Sequence, residues 1–485
     1  MSARYLTTTL PYVNADPHIG FALEIIKADV LARSWRTQGD EVFFNTGTDE
    51  HGQKVWREAV KKGENPRVYV DAYAEKFKAL KEKLNLYSDL HFTRTTDLHH
   101  IHAAQEFWKR CTANGDIYKK QYQIKYCVGC ELEKTDSELV NGRCPLHPNT
   151  ELELIDEENY FFCFSKYQKP LLDLYAAQPN FVLPDFRLNE IRLFVERGPQ
   201  DFSISRLKKK MPWGIDVPDD PEHVMYVWFD ALVNYISAIG WPEDQKNFEK
   251  FWGTRDQPNA LQIAGKDNLR QQSAMWQAML MSAGLPNSRQ IIIQGFIMSG
   301  GQKMSKSLGN VINPFDLVEK YGTDAVRYVL LRHTSPFEDS DLTPEAIHEH
   351  YTAHLTNGLG NLVARVMKLA ETHLSKPIGI PDHKEVDPET KIHIDAFEFN
   401  LAMDLLWHWM QTLDELIQEQ RTFEVVKNNK IAGEKQLKSL LTQLAKIAIL
   451  LDPFMPETSK KILEAIRANK KPDNLFPRLP AQAGL

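Results

Sequence analysis

Two lysines three residues apart, in Lys303-Met304-Ser305-Lys306-Ser307, carry the strongest chemical signal in this chain of 485 residues. Glycines border them, Gly300-Gly301 before and Gly309 after. Two ammonium groups on such a loop can grip a triphosphate and still move. Transfer of an adenylyl group builds negative charge on the leaving pyrophosphate and on the five-coordinate α-phosphorus. Cations aimed there stabilise the transition state more than the ground state. Ser305 and Ser307 can add hydroxyl donors, and Met304 can anchor the loop in the core. The plain alternative is a surface loop with lysines.

Far upstream, Pro17-His18-Ile19-Gly20 supplies a second element. It follows a strand-like run, Tyr5–Leu10, and opens a helical one from Ile19 to about Trp35. A turn between strand and helix gathers backbone N–H groups and the positive helix end at one point, where phosphates bind. Gly20 lets a nucleotide approach the backbone closely, and His18 can donate to a phosphate oxygen. Alone this is only a turn histidine; with the lysine loop it completes an ATP site.

The third element is Cys127-x-x-Cys130, thirteen residues, then Cys144-x-x-His147. Two tight pairs giving three thiolates and one imidazole suit tetrahedral Zn²⁺. No open coordination position is implied, so one structural zinc is expected. The odd count of five cysteines points away from a disulfide framework.

These residues need elements to hold them. Residues 1–110 alternate strand and helix, with a second strand at Glu41–Asn45, which favours a doubly wound parallel sheet. Residues 111–224 change to short strands and turns around the cysteines, as an insertion does. Residues 225–344 return to the α/β texture with strand-like Met225–Phe229, Gln262–Ala264 and Ile291–Phe296. Residues 345–470 read as helices, with Leu355, Leu359, Leu362, Val366 and Leu369 on one face. Pro377, Pro381 and Pro388 divide that region, and 471–485 form a tail. The expected fold is an α/β Rossmann-type catalytic domain split by a zinc-bearing insertion, then an all-α bundle.

Composition excludes several classes. The hydrophobic fraction of 42% and charged fraction of 25% are those of a globular protein. No apolar run approaches the roughly 20 residues of a membrane span. The N-terminus shows no signal-peptide core, so a cytoplasmic, membrane-free protein is expected. The net charge of −7 argues against an indiscriminate polyanion binder. A local patch can still contact phosphates, although the Lys208-Lys209-Lys210 run reads first as a solvated face.

Taken in order, the chain resembles the methionyl-tRNA synthetases, a class I aminoacyl-tRNA synthetase family, over nearly its full length. The resemblance rests on Leu10-Pro11-Tyr12, the His18 element, Gly47-Thr48-Asp49-Glu50-His51-Gly52, and Tyr226-Val227-Trp228-Phe229-Asp230-Ala231. Gly265-Lys266-Asp267, the lysine loop and Asp452-Pro453-Phe454-Met455-Pro456-Glu457-Thr458 follow. It implies two steps: L-methionine and ATP with Mg²⁺ give methionyl-adenylate and pyrophosphate, then the acyl group moves to the terminal ribose of tRNA(Met), initiator included, releasing AMP. By similarity, His18, Lys303 and Lys306 are catalytic, and Gly20, Glu24, Gly265, Asp267, Ser305 and Lys306 bind ATP. Tyr12 and Trp228 line the methionine side-chain pocket, where ring edges suit a polarizable thioether. Asp49 holds the α-ammonium group.

In the helical region, Asn361 and Arg365 share a helix face and by resemblance read anticodon bases. Phe423 stands where the family often has tryptophan and can stack on an unpaired base. Two departures stand out: Phe21 replaces the usual second histidine of the ATP element, and Gln271-Gln272 stand where some family members have an aromatic and a histidine, leaving the pocket's far wall open. The rivals are a class I synthetase for leucine, isoleucine, valine or cysteine, a non-catalytic tRNA-binding paralogue, and a simpler nucleotidyltransferase. The short insertion, the closed zinc ligand set, the intact lysine loop and the long helical region weigh against them in turn. A monomer is expected.

Overall fold

The computed structural model describes residues 2–134, 136–304, 310–380 and 387–480. Six parallel strands form the central sheet: β1 (Ala3–Thr7), β2 (Glu41–Thr48), β3 (His91–Arg94), β4 (Val182–Leu183), β5 (Ala260–Gly265) and β6 (Gln290–Gln294). Their order is β3-β2-β1-β5-β6-β4. The order reverses between β1 and β5, and crevices outside the carboxyl ends of strands at such a switch point are where doubly wound sheets bind ligands. Tyr5 pairs with Phe43 on one side and Ala260 on the other, so chain segments more than 200 residues apart meet at the centre.

The first helix, Ile19–Thr37, carries few polar positions and is buried on most faces. It packs over β1 and β2 on one side and the helix Thr323–Arg332 on the other. The stretch 111–224 builds an antiparallel unit: Ile117–Cys127 pairs with Glu153–Phe162 from Ile117↔Phe162 to Tyr126↔Glu153, and ends at the first cysteine of the cluster. The same stretch lends the edge strand β4 to the main sheet.

One expectation needs correction. Met225–Phe229 is not a strand. Asp220–Met225 pairs antiparallel with Ser205–Leu207, and the chain then turns into a short helix, Val227–Ala231. The turn carries Asp230 to two histidines described below, which a continued strand would not do.

From Pro344 the described residues are mainly helical to Ala468. Asp387 caps the helix Pro388–Asp395 by accepting from the Thr390 N–H, with Pro388 in the first turn, so this proline starts a helix as well as separating two. Between Pro344–His350 and Asn361–His373 lies a π-helical segment, Tyr351–Gly360.

The sheet's lower layer and the helical region share one apolar core, running from Leu6, Ile26 and Phe44 through Val329 to Leu406, Leu441 and Ile462. Arg327 sits fully buried at the junction. Its guanidinium donates to the carbonyls of Phe454, Pro453 and Leu84 at 2.7, 2.8 and 3.2 Å, and pairs with Asp29 at 2.8 Å. Removing one partner of such a pair costs about 3–5 kcal/mol. No helix among the described residues is long and apolar enough to cross a membrane.

Candidate active site and metal centre

His18 caps the first helix, its Nδ1 accepting the Gly20 N–H at 3.1 Å. A Cβ on Gly20 would stand 3.0 Å from the His18 ring, so glycine leaves room for the capping imidazole. With Nδ1 accepting, the neutral ring carries its proton on Nε2. The ring reaches solvent, yet desolvation in the crowded cleft lowers its pKa; Asp267 opposes the shift and Lys303 reinforces it. His18, Asp267 and Lys303 therefore act on one another across a single cleft, at the ends of β1 and β5.

Gly265 ends β5, and a Cβ there would lie 2.8 Å from Asp267 Oδ1. Glu24 is buried beneath the turn. It accepts from the Thr9 N–H and hydroxyl at 2.7 and 2.5 Å and from Gln294 at 3.3 Å. Burial pushes Glu24 up to about 7 against the Thr9 bonds, and burial pulls Lys27 down to about 7. Phe21 is buried in the main core, edge-on to Phe77 at 5.6 Å, and offers no polar atom.

Lys303 lies on Gln302–Lys303, the second strand of a hairpin with Ile297–Ser299, and its ammonium sits 4.3 Å from the Phe296 ring centre. Met304 packs partly buried against the main core. Ser305, Lys306 and Ser307 lie outside the described residues.

The other end of the cleft is closed and aromatic. Tyr12 bridges backbone-to-backbone with Asp49, just beyond the paired ends of β1 and β2. Tyr12, Val128 and Trp228 pack on buried Tyr126, Tyr226 and Val227. Asp49 is 2% exposed, and burial raises its pKa well above the ordinary carboxylate value, with Asp230 and Glu131 adding to the rise. The Tyr12 hydroxyl and Asp49 Oδ1 have no hydrogen-bond partner among the described residues. Buried polar atoms left so are uncommon and call for an explanation.

Three supporting groups escape sequence reading. Asp230 accepts from His51 Nδ1 at 2.7 Å and His100 Nε2 at 2.8 Å, tying the Asp49 segment to helix Leu98–Ala113. Glu50 is buried and gripped by both arms of Arg94, at 2.6 and 2.9 Å. Glu131, next to Cys130, accepts from the Lys54 N–H at 2.9 Å and from the Tyr126 hydroxyl, while its carbonyl accepts from Trp228 Nε1 at 3.2 Å. Glu50 and Asp230 lie inside the quoted motifs and Glu131 adjoins Cys130, but nothing in the sequence marks these contacts.

Gln272 turns into the core: its Nε2 donates to the Tyr235 hydroxyl at 2.5 Å and its Oε1 accepts from Gln262 at 3.3 Å. Gln271 is also buried, with Oε1 unpartnered. The lysine run is no free patch either. Lys208 pairs with Asp216 and Lys210 with Glu157, while Arg206 lies buried against the rings of Tyr126 and Tyr226.

The structure assembles the four metal-type ligands. Cys127, Cys130 and Cys144 Sγ and a His147 ring nitrogen lie within 4.8 Å of one another. Cys130 Sγ is 3.4 Å from Cys144 Sγ and 3.2 Å from His147 Nδ1. A tetrahedron with bonds of about 2.0–2.3 Å has edges of about 3.3–3.8 Å, so the set fits a four-coordinate ion. Burial holds the His147 pKa below the ordinary imidazole value, and the charges of Lys54, Lys303 and Lys134 add to the shift.

In the helical region, Asn361 is exposed at the start of its helix, and Arg365, one turn on, pairs with Asp414. Phe423 is 39% exposed on the helix Thr422–Asn428.

A switch-point ATP cleft with a capping histidine, a lysine hairpin and a metal knuckle defines a class I tRNA synthetase, and the family model "tRNA synthetases class I (M)" matches residues 4–153 and 148–367. Among curated relatives, the methionine–tRNA ligase of Thermosynechococcus vestitus is 50% identical over 369 residues, covering 75% of this chain and 68% of that one. That of Thermotoga maritima is 38% identical over 485 residues, 96% of this chain and 76% of that one. The Mycobacterium tuberculosis methionyl-tRNA synthetase in complex with methionyl-adenylate superposes with a TM-score of 0.88 at 35% identity, covering 96% and 94% of the two chains. Its apo form gives 0.82 at 31% identity, covering 99% of each. The chain belongs to the methionine–tRNA ligases, which activate methionine with ATP and charge tRNA with it.

Proposed function

We propose that each step of this activity is carried by the residues the cleft gathers. The observation that carries the reading is the pair of buried atoms without a hydrogen-bond partner among the described residues, Tyr12 hydroxyl and Asp49 Oδ1, beside the aromatic cluster of Tyr12, Tyr126, Tyr226 and Trp228. Methionine's ammonium pairs with Asp49, and its side chain lies between Tyr12 and Trp228. The Gln272–Tyr235 contact forms the far wall, because Tyr235 lies close enough to Asp49 and Glu24 to feel both charges.

ATP lies across the switch point. Gly20, Gly265 and Asp267 flank the adenosine, and Glu24 supports that floor through Thr9 and Gln294. The methionine carboxylate attacks the α-phosphorus, the bond to pyrophosphate breaks, and the mixed anhydride forms. His18 Nε2–H, Lys303, Lys306 and Ser305 stabilise the phosphate charge that develops, with Mg²⁺ arriving on ATP as part of the substrate. A hydroxyl of the tRNA's terminal ribose then attacks the carbonyl and AMP leaves.

The Cys127, Cys130, Cys144 and His147 set holds one structural Zn²⁺, which fixes the fold of the knuckle. Glu131 passes that order to Trp228. Asn361, Arg365 and Phe423 contact the anticodon of tRNA(Met), initiator included, with Asp414 orienting the Arg365 guanidinium. The division into 1–110 and 225–344 as catalytic halves, 111–224 as insertion, 345–470 as anticodon-binding region and 471–485 as tail follows the same reading. So do a cytoplasmic setting and a monomer.

The test is methionine-dependent ATP–pyrophosphate exchange beside tRNA charging. Selective exchange with methionine that collapses in Asp49→Asn and His18→Ala supports the assignment. Exchange unaffected by either substitution refutes it.

A further inference from the structure

The loop that follows helix Thr323–Arg332 reaches three separate elements of the ATP end. At its start, buried Lys27 of the first helix donates to the carbonyls of Ser335 and Pro336 at 3.3 and 3.1 Å. Within the loop, the Ser335 N–H donates to Ser340 Oγ at 2.7 Å, and Ser335 Oγ accepts from the Glu338 N–H at 3.0 Å, which closes a compact turn. At its end, Ser340–Asp341 runs parallel to Ile297–Met298 in the first strand of the lysine hairpin. The Ser340 and Leu342 N–H groups donate to the Phe296 and Met298 carbonyls, each at 2.9 Å. The backbones meet so closely that a Cβ on Gly295 would stand 2.2–2.5 Å from main-chain atoms of Glu338 and Asp339.

Two carboxylates tie this loop to the hairpin. Asp339 and Asp341 are two apart, the spacing that puts side chains on one face of an extended chain. Asp339 Oδ1 accepts from the Phe296 N–H at 2.9 Å, at the hairpin's base. Asp341 Oδ2 accepts from the Gly301 N–H at 3.0 Å, at its tip. Asp339 Oδ2 pairs with Lys266 at 2.7 Å, inside Gly265-Lys266-Asp267. The ammonium groups of Lys266 and Lys303 lie 4.5 and 4.3 Å from the centre of the same Phe296 ring. Against the cost of burial, Lys266 and the Phe296 N–H hold the Asp339 carboxyl below the usual carboxylate range. Its negative charge offsets that of Lys266, so one ring can carry both cations. A loop that merely joined two helices would turn such carboxylates to its own backbone; here both go to the hairpin.

We infer that Asp339 and Asp341 are positioning residues for adenylation, fixing the hairpin that carries Lys303 against the Gly265-Lys266-Asp267 turn. With Lys303 read as a transition-state cation, on which this step rests, any drift of the hairpin moves that charge away from the α-phosphorus. Asp339 acts at the base, where one carboxylate ties the Phe296 backbone to Lys266. Asp341 acts at the tip, on the turn that leads into Lys303. Both work through Lys303 rather than on the nucleotide. Lys27 anchors the same loop to the helix that His18 opens, so all three ATP elements share one frame.

The experiment is a double-mutant cycle in methionine-dependent ATP–pyrophosphate exchange, run on the full chain. Asp339→Ala is expected to lower kcat by about 10–100-fold, the loss that a misplacement of about 1 Å brings, with the methionine KM unchanged. Asp339→Asn keeps an acceptor for the Phe296 N–H but loses the charge on Lys266, and should recover part of the rate. In a Lys303→Ala background, Asp339→Ala should slow exchange by less than about 2-fold, because residues acting through one group are not additive. A general loss of structure would multiply in both backgrounds. Asp341→Ala, which removes only the contact at the tip, runs the same cycle where Asp339→Ala does not fold. Full kcat in both aspartate variants overturns the inference, and so do losses that multiply with Lys303→Ala. Normal exchange in Lys303→Ala alone would instead overturn the assignment of Lys303 to catalysis, and the inference with it.

Discussion

The two ends of the proposed catalytic cleft, one assigned to methionine and one to ATP, are built on opposite plans. At the methionine end, Asp49, Tyr126, Tyr226 and Glu131 are nearly sealed from water and locked by neighbours from distant segments. At the ATP end, His18, Asp267 and Lys303 reach solvent, and His18 feels the charges of both neighbours as well as the desolvation of the cleft. A small, mostly apolar substrate is selected by a preformed apolar pocket with a few placed polar atoms. A polyanion brings its own charge and needs cations within reach. Specificity is therefore stored in packing at one end, and rate in charge at the other.

Breaking the ATP end should cost most. His18→Ala or Lys303→Ala is expected to lower kcat for methionine-dependent pyrophosphate exchange by about 10²–10³, the usual loss for one transition-state donor, with the methionine KM little changed. A comparable loss in KM alone would reverse the contrast between the ends.

At the methionine end, Asp49→Asn should raise the methionine KM by about 30-fold or more, since truncating one partner of a buried charge pair costs about 2–5 kcal/mol. Burial holds the Asp49 pKa high in the free protein. Lowering the pH therefore protonates the carboxylate that the ammonium needs, and the methionine KM should climb as pH falls. The sign for stability is the matching one. A carboxyl with a raised folded pKa favours folding at low pH, and this contribution is lost as pH rises through that value. Asp49→Asn should thus raise the Tm of the unliganded protein at neutral pH while abolishing the KM slope. A KM that is flat with pH in the unaltered protein would show that Asp49 does not face the ammonium.

Zinc removal probes the link between the ends. Chelation should raise the methionine KM through Trp228, and Glu131→Gln should do the same more mildly, because the carbonyl bond to Trp228 survives. Circular dichroism of the sheet should hold while Trp fluorescence shifts. The smallest effect on the cleft belongs to Arg365→Ala, expected to slow tRNA charging by about 10-fold, within the 1–3 kcal/mol typical of a base contact, with pyrophosphate exchange intact. Equal loss in both assays would show that the helical region acts on activation.

The contrast also explains what the sequence revealed. The residues assigned to the ATP end drew notice through two short local motifs, the turn at His18 and Gly20 between strand and helix and the glycine-bordered lysine pair, of which Lys306 lies outside the described residues. The cysteine knuckle was legible for the same reason. The supports of the methionine end were not. Asp230 meets His51 and His100, and Glu131 meets Trp228, across separations that leave no periodic trace. Met225–Phe229 misled because alternating apolar residues look alike in a strand's end and in a short buried helix. Phe21 looked like a gap in the ATP site; its ring is instead part of the core under the first helix. Leu355 and Leu359, four apart, read as ordinary α-helix, so the π segment Tyr351–Gly360 is not visible in the sequence.

Arg327 and the apolar layer around it give the chain a property of manufacture. Among the described residues one apolar layer serves both the sheet and the helices, and one guanidinium ties loops from each, so a cut between them would open that layer. A fragment ending before Pro344 would leave Val329 and Leu330 facing water with no partner layer, and a fragment starting there would strand Leu441 and Ile462. A nascent chain emerging from the ribosome meets the same constraint: the apolar layer that the sheet shares with the helices is not complete until the helix Pro456–Ala468 has been made.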